Sequence, residues 1–218
     1  MNPRGTGTVD AQADGPEAPL PGENWVLRIP LADLESTQRL AHSLAAVLPA
    51  GTLLVLTGGL GAGKTTFTQS LAEGLGVTGL VSSPTFVLSR IHRSAQDGPD
   101  LVHVDAYRTD AEGLESLDLL STLADSVTVI EWGRGLVEHA LVGEGGSWLD
   151  LELIRNDELT RSDADGAPAA ESSDPTAAPQ IITDFSESEE DILGSPRQAV
   201  LRGYGPDFAT PPASVFRG

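Results

Sequence analysis

Apolar positions along this chain come in short blocks whose spacing alternates between strand-like runs and a helical repeat of three to four, the pattern of a mixed α/β fold. Trp25 to Ile29 reads as a short strand. A helix follows, starting near Ser36 or Thr37, both suitable caps, with Leu40, Ala41, Leu44, Ala45 and Leu48 on one face and Pro49 and Gly51 at its end. Leu53-Leu54-Val55-Leu56 is a continuous apolar run, as expected of a parallel strand covered on both faces. It leads straight into a glycine-rich stretch. Beyond that stretch Phe67, Leu71 and Leu75 recur at four-residue spacing, and Gly76 is placed to end a second helix. Further strands are expected at 101–104 and 127–130, each followed by a carboxylate, Asp105 and Glu131. Leu114, Leu117, Leu120 and Leu123 mark a helix between them. Leu149, Leu151 and Leu153 alternate with Asp150 and Glu152, which predicts a half-exposed strand near the sheet's edge. Ala199 to Leu201, with Gly203-Tyr204-Gly205 after it, reads as a last strand and turn.

Two long stretches lack this patterning. Residues 1–23 are rich in Gly, Pro, Asp and Ala, and 156–195 hold 11 acidic residues against one basic, with few core formers besides Ile181, Ile182 and Phe185. Such compositions bury too little surface to offset the entropy of ordering, so a disordered tail and a disordered acidic insertion are expected there. A flexible tail is expected at 210–218. The remainder, 24–155 with a returning strand in 196–209, is the size of one domain.

Charge and composition narrow the chemistry. A net charge of -19 argues against a broad surface that grips nucleic-acid phosphates, since that work is done by Lys and Arg. Cysteine is absent, which excludes disulfides and thiolate metal sites, and the four histidines show no ligand spacing. No run of about 18 apolar residues suggests a membrane span, and no leader pattern opens the chain, so no membrane association and a cytoplasmic location are expected.

The glycine-rich stretch, Gly58-Gly59-Leu60-Gly61-Ala62-Gly63-Lys64-Thr65, has the form G-x-x-x-x-G-K-[ST] between a strand and a helix. Lys64 is the only lysine among 13 basic residues, and with Gly, Ser and Thr at their frequencies here a chance match around it is roughly 0.002. In such a loop backbone N–H groups and the helix dipole meet a phosphate, the lysine reaches the β and γ phosphates, and the Thr65 hydroxyl ligates magnesium. A carboxylate would complete the cation site. Asp105 and Glu131 are the candidates, since ligands of open α/β sheets bind beyond the carboxyl ends of the strands, although surface ion pairs are an alternative for both. Arg108 would touch phosphate or pair with Asp105. Ser82-Ser83-Pro84-Thr85-Phe86 lies where a phosphate-sensing switch or an ordinary turn would fit, and Trp132 suits either a site or simple packing. Guanine recognition by an Asn-Lys-x-Asp element is excluded because the single lysine is committed to the loop, which leaves ATP as the expected nucleotide.

Together these motifs resemble the TsaE (YjeE) ATPases of threonylcarbamoyladenosine synthesis in tRNA. The resemblance rests on Thr37, on Leu60-Gly61-Ala62-Gly63-Lys64-Thr65-Thr66-Phe67, on Ser83-Pro84-Thr85-Phe86, on His103-Val104-Asp105-Ala106-Tyr107-Arg108 and on Ile130-Glu131-Trp132, in the family's order across about 25–155. It implies a P-loop NTPase fold, with a mainly parallel central sheet flanked by helices and late antiparallel edge strands. It also implies a nucleotide site of Thr37, Gly58 to Thr66 and Trp132, magnesium on Thr65 and Glu131, catalytic roles for Lys64, Asp105 and Glu131, and action through TsaD-like and TsaB-like partners, with tRNA met indirectly. Gly59 stands where the family commonly has aspartate. The family's last two strands are usually joined briefly, whereas about 40 residues of acidic sequence intervene here; Arg197, where the pattern resumes, is expected near the nucleotide. A small-molecule kinase using the same loop, or a nucleotide-dependent binding module, are the alternatives, the first disfavoured by the lack of a basic lid.

Overall fold

The structure, a computed structural model, describes residues 19–84, 87–95, 98–107, 109, 112–113, 117, 119–143, 145–156 and 195–212. Most of the expected tail and nearly all of the acidic insertion, together with 213–218, Thr85, Phe86, Arg108 and Leu114, lie outside the described residues.

Among the described residues seven strands form one sheet: β1 (Trp25–Leu31), β2 (Leu53–Thr57), β3 (Ser89–His92), β4 (Asp100–Asp105), β5 (Ser126–Glu131), β6 (Trp148–Arg155) and β7 (Arg197–Tyr204). Their order is β1-β7-β6-β2-β5-β4-β3. β6, β2, β5 and β4 run parallel, while β3 at one margin and the β7–β1 pair at the other run antiparallel to their neighbours. The parallel core with antiparallel margins is the architecture expected from the sequence. β2 is buried at every position, as its unbroken apolar run requires when helices cover both faces. β1, by contrast, alternates half-buried Trp25, Leu27 and Ile29 with exposed Val26, Arg28 and Pro30, and an outer strand is where a proline is tolerated.

The face of the sheet bearing Leu54, Leu56, Val127, Val129, Leu149 and Leu151 packs against α1 (Leu34–Ala45) and α2 (Lys64–Gly74). Val55, Val102, Val104 and Ile130 on the other face pack against Leu119 of the short α3 (Leu119–Leu123) and against Val137. α1 buries the predicted stripe, Leu40, Ala41, Leu44 and Ala45. Its cap is Asp33 rather than Ser36 or Thr37: Asp33 Oδ1 accepts from Ser36 N at 2.8 Å, and Ser36 Oγ accepts from Asp33 N at 3.1 Å, so Ser36 serves as the third-residue partner in a capping box. α2 buries Phe67 and Leu71, and Gly76 follows it with φ 74°. No helix among the described residues is long and apolar enough to cross a membrane.

β6 departs from its predicted place. It lies inside the sheet, between β2 and β7, and Asp150 is 2% exposed. The alternation that reads as apolar-in and polar-out marks here an apolar face and a buried ionic one. Asp150 accepts from Arg134 Nη2 at 2.7 Å, from Arg202 Nη1 at 2.8 Å and from Thr57 Oγ1 at 3.2 Å, while Glu152 pairs with both arginines. Burial works against the Arg134 charge, but Asp150 and then Glu152 outweigh it, so its pKa is raised. Removing one member of such a network leaves buried charge without its partner. Asp150→Ala is expected to lower stability by about 3–5 kcal/mol in urea unfolding.

Tyr204, at the end of β7, stacks on Trp148 with ring centroids 4.4 Å apart and donates its hydroxyl to the Leu20 carbonyl at 2.8 Å. Burial, then the Asp150 and Glu23 charges, raise its pKa from 10.0 to about 12. The folded state thus favours the neutral phenol, a contribution present in full below the unfolded pKa and lost as pH rises through the folded one. Unfolding midpoints are expected to fall more steeply between pH 10 and about 12 for the wild type than for Tyr204→Phe.

Candidate functional site

The carboxyl ends of β2, β4 and β5 converge where the glycine-rich loop leaves the sheet. Glu131 is the register partner of Leu56 in β2 and of Asp105 in β4. Side chains alternate along β5, so Glu131 falls on the same face as Val127 and Val129, the face that α2 covers. The loop and both carboxylates therefore share one side of one sheet end.

Three glycines give the loop its path: Gly58, Gly61 and Gly63 have φ of 145°, 74° and 97°. Space agrees with dihedral preference at two of them, because a Cβ on Gly58 would strike the Leu153 carbonyl and one on Gly63 would strike the Arg197 guanidinium. Gly63 is also the N-cap of α2 and supplies no side-chain cap, so the first N–H groups of the helix face the loop with the positive end of the dipole behind them. An anion is the natural partner for that arrangement.

Lys64 is 5% exposed. Its Nζ donates to the carbonyls of Gly58 at 2.8 Å and Gly59 at 2.9 Å and lies 3.8 Å from the Trp132 ring centroid. This cation is thus held over the loop by two dipoles and an aromatic face. Trp132 holds that pose from a left-handed backbone, φ 62°, which costs a bulky residue on the order of 1–3 kcal/mol. Tyr107 flanks it with ring centroids 5.4 Å apart.

Glu131 is 3% exposed and accepts from Thr65 Oγ1 at 3.2 Å. Its Oε1 also lies 2.8 Å from His103 Nε2, and His103 is fully buried. Among the described residues the His103 Nδ1 has no hydrogen-bond partner, which fits the Nε2–H tautomer: the ring then donates to the carboxylate and leaves a bare lone pair rather than an orphaned N–H. Asp105, 5% exposed, accepts from Tyr107 N at 3.1 Å.

Lys64, Thr65, Glu131 and Trp132 therefore meet directly, with Asp105 on the neighbouring strand. Gly59 contributes a carbonyl, and the Leu60 side chain points away, 89% exposed at the loop's tip. Gly61 and Ala62 complete the turn, and the Thr66 carbonyl is occupied by Ser70 Oγ at 3.2 Å within α2. Thr37 is buried in α1, and its hydroxyl donates to the carbonyl of the cap residue Asp33 at 3.3 Å. Val87 N and Leu88 N both donate to the Pro84 carbonyl at 2.8 Å. Sequence reasoning gave no role to His103, which the structure joins to Glu131, nor to Arg134, which ties the segment just after Trp132 to Asp150. The available signal for both was a charged or titratable residue inside an apolar strand or beside one.

Comparison with known proteins follows the same residues. The family described as threonylcarbamoyl adenosine biosynthesis protein TsaE matches residues 31–162, which contain the loop, Asp105, Glu131 and Trp132. The tRNA threonylcarbamoyladenosine biosynthesis protein TsaE of Streptomyces coelicolor is 57% identical over 104 residues, 47% of this chain and 70% of that one. Its namesake in Mycobacterium tuberculosis is 45% identical over 117 residues, 50% of this chain and 70% of that one. The counterpart in Bacillus subtilis is 42% identical over 112 residues, 50% of this chain and 68% of that one. Among solved structures, Bacillus subtilis YdiB superposes with a TM-score of 0.52 at 26% identity, covering 83% of this chain and 87% of that one. With the family match spanning more than half the chain and the relatives agreeing on it, this chain belongs to the TsaE family of tRNA threonylcarbamoyladenosine biosynthesis proteins.

Proposed function

We propose that the chain binds ATP on the loop from Gly58 to Thr66 and hydrolyses it with magnesium, and that this hydrolysis supports turnover of a TsaD–TsaB complex during threonylcarbamoyladenosine synthesis. The observation that carries the reading is the contact of Thr65 with buried Glu131 at 3.2 Å, directly beside a glycine loop and an uncapped helix start.

The residues fit both groups. Loop amides and the Lys64 ammonium suit phosphate oxygens, and an arriving phosphate competes with the Gly58 and Gly59 carbonyls for that ammonium. A hydroxyl beside a carboxylate is an oxygen donor set that suits magnesium, so Thr65 and Glu131 would hold the ion. Magnesium, when bound, would offset the charge that develops on the phosphates. His103 orients the Glu131 carboxylate for that task by fixing one of its oxygens. Asp105, withdrawn from water on the adjacent strand, supports hydrolysis near the γ-phosphate, and Trp132 shields the phosphate end of the site from solvent. Thr37, buried in the first turn of α1, contributes to the nucleotide site. The charge of -19 supports contact with tRNA through partner proteins rather than directly.

Lys64→Ala is expected to weaken ATP binding at least tenfold, about 1.4 kcal/mol, by calorimetric titration. Glu131→Ala is expected to bind ATP within a few-fold of wild type when magnesium is chelated and to lose roughly 10- to 100-fold in magnesium-dependent phosphate release. Wild-type turnover by Glu131→Ala would remove this carboxylate from the mechanism. Adding TsaD and TsaB from the same organism is expected to raise ATP hydrolysis and to restore modified tRNA in a reconstituted assay; no change in either contradicts the partner assignment.

A further inference from the structure

β7 delivers a guanidinium to the glycine-rich loop. Arg197 opens that strand in the same alternation as Ala199 and Leu201, which face the α1 and α2 layer. It is 3% exposed; Nη1 donates to the Ala62 carbonyl at 2.8 Å, and Nε donates to the Ser195 carbonyl at 3.2 Å. The same Nη1 occupies the space that a side chain at Gly63 would need. Two residues of the loop, one by a hydrogen bond and one by close packing, thus rest on a single side chain from a distant part of the sequence.

A buried arginine is a costly choice for this position. Burial opposes its charge, and so does Arg155, its register partner across the β6–β7 pair, so that its pKa is lowered. An apolar residue would fill the same space without that cost. What the guanidinium supplies is a donor to a loop carbonyl. A loop that turns its N–H groups inward toward an anion leaves carbonyls on its outer side, and buried carbonyls need partners.

We propose that Arg197 is a positioning residue of the phosphate loop: its bond to Ala62 and its packing on Gly63 fix the loop's peptide orientation ahead of ligand binding. The ligand half of this inference rests on the nucleotide reading above, whereas the loop half does not. A loop ordered in advance loses less entropy when it closes on polyphosphate, so the contribution appears as affinity.

The test uses the full chain as wild type, Arg197→Lys and Arg197→Met, with amide hydrogen exchange measured without nucleotide. Met keeps the stem and loses both donors, while Lys keeps the charge and one donor position. Amides of residues 58–65 are expected to exchange about tenfold faster in R197M and by an intermediate factor in R197K, with the β4 and β5 amides unchanged. ATP affinity with magnesium is expected to fall about tenfold in R197M and less in R197K. Unchanged loop exchange in R197M, or faster exchange spread evenly over the sheet, overturns the proposal, as does faster loop exchange with undiminished ATP affinity. Should R197M not fold, R197K decides by the same loop-against-sheet comparison. Failure of wild type to bind ATP would sink the nucleotide reading, and the exchange data would still decide whether Arg197 holds the loop.

Discussion

A carboxylate withdrawn from water at the end of β5 sets the terms for everything around it. Glu131 is almost wholly buried, and a charge in that position is tolerated only with hydrogen-bond donors at hand. Thr65 supplies one from the first turn of α2 and His103 another from β4. Three elements are thereby drawn to a single oxygen, and the loop between β2 and α2 must fit the short space that remains. Its left-handed glycines are the consequence, since no residue with a side chain would follow that path at Gly58 or Gly63.

The two faces of the sheet are joined through the turn after Glu131. Trp132 takes a strained left-handed backbone over Lys64 on one side, and two residues later Arg134 reaches the Asp150 and Arg202 network on the other. Gly133 between them leaves no room for a side chain, with Ile130 and Val137 packed against it. A buried ion pair fixed to β6 is a rigid anchor, and it helps keep the tryptophan in a conformation that its own backbone preference disfavours. Stability on one face is in this sense used to hold geometry on the other.

Much of this was readable in advance, for definite reasons. The loop announces itself because only glycine meets its backbone demands and because a single lysine stands at the required place. The central strands announce themselves because burial on both faces demands unbroken apolar runs such as Leu53 to Leu56. Elsewhere the same rules misled. Leu149-Asp150-Leu151-Glu152-Leu153 looks half exposed because alternation usually means water on one side, yet the polar side faces two arginines from distant segments. Ser36 looks like a helix cap and is instead the partner of one, Asp33. β3 is four mostly polar residues, Ser89–His92, and exists through its pairing with β4 rather than by any pattern of its own. His103 acquires its meaning only through a partner 28 residues away, which no local window contains.

Calorimetric titration of ATP into the full wild-type chain, run with magnesium and again with a chelator, reads nucleotide binding and its dependence on the ion together. A single saturable site per chain is expected, with an affinity that rises markedly with magnesium, as it must if Thr65 and Glu131 share the ion with the phosphates. Absence of saturable binding, or an affinity indifferent to magnesium, would contradict the nucleotide reading.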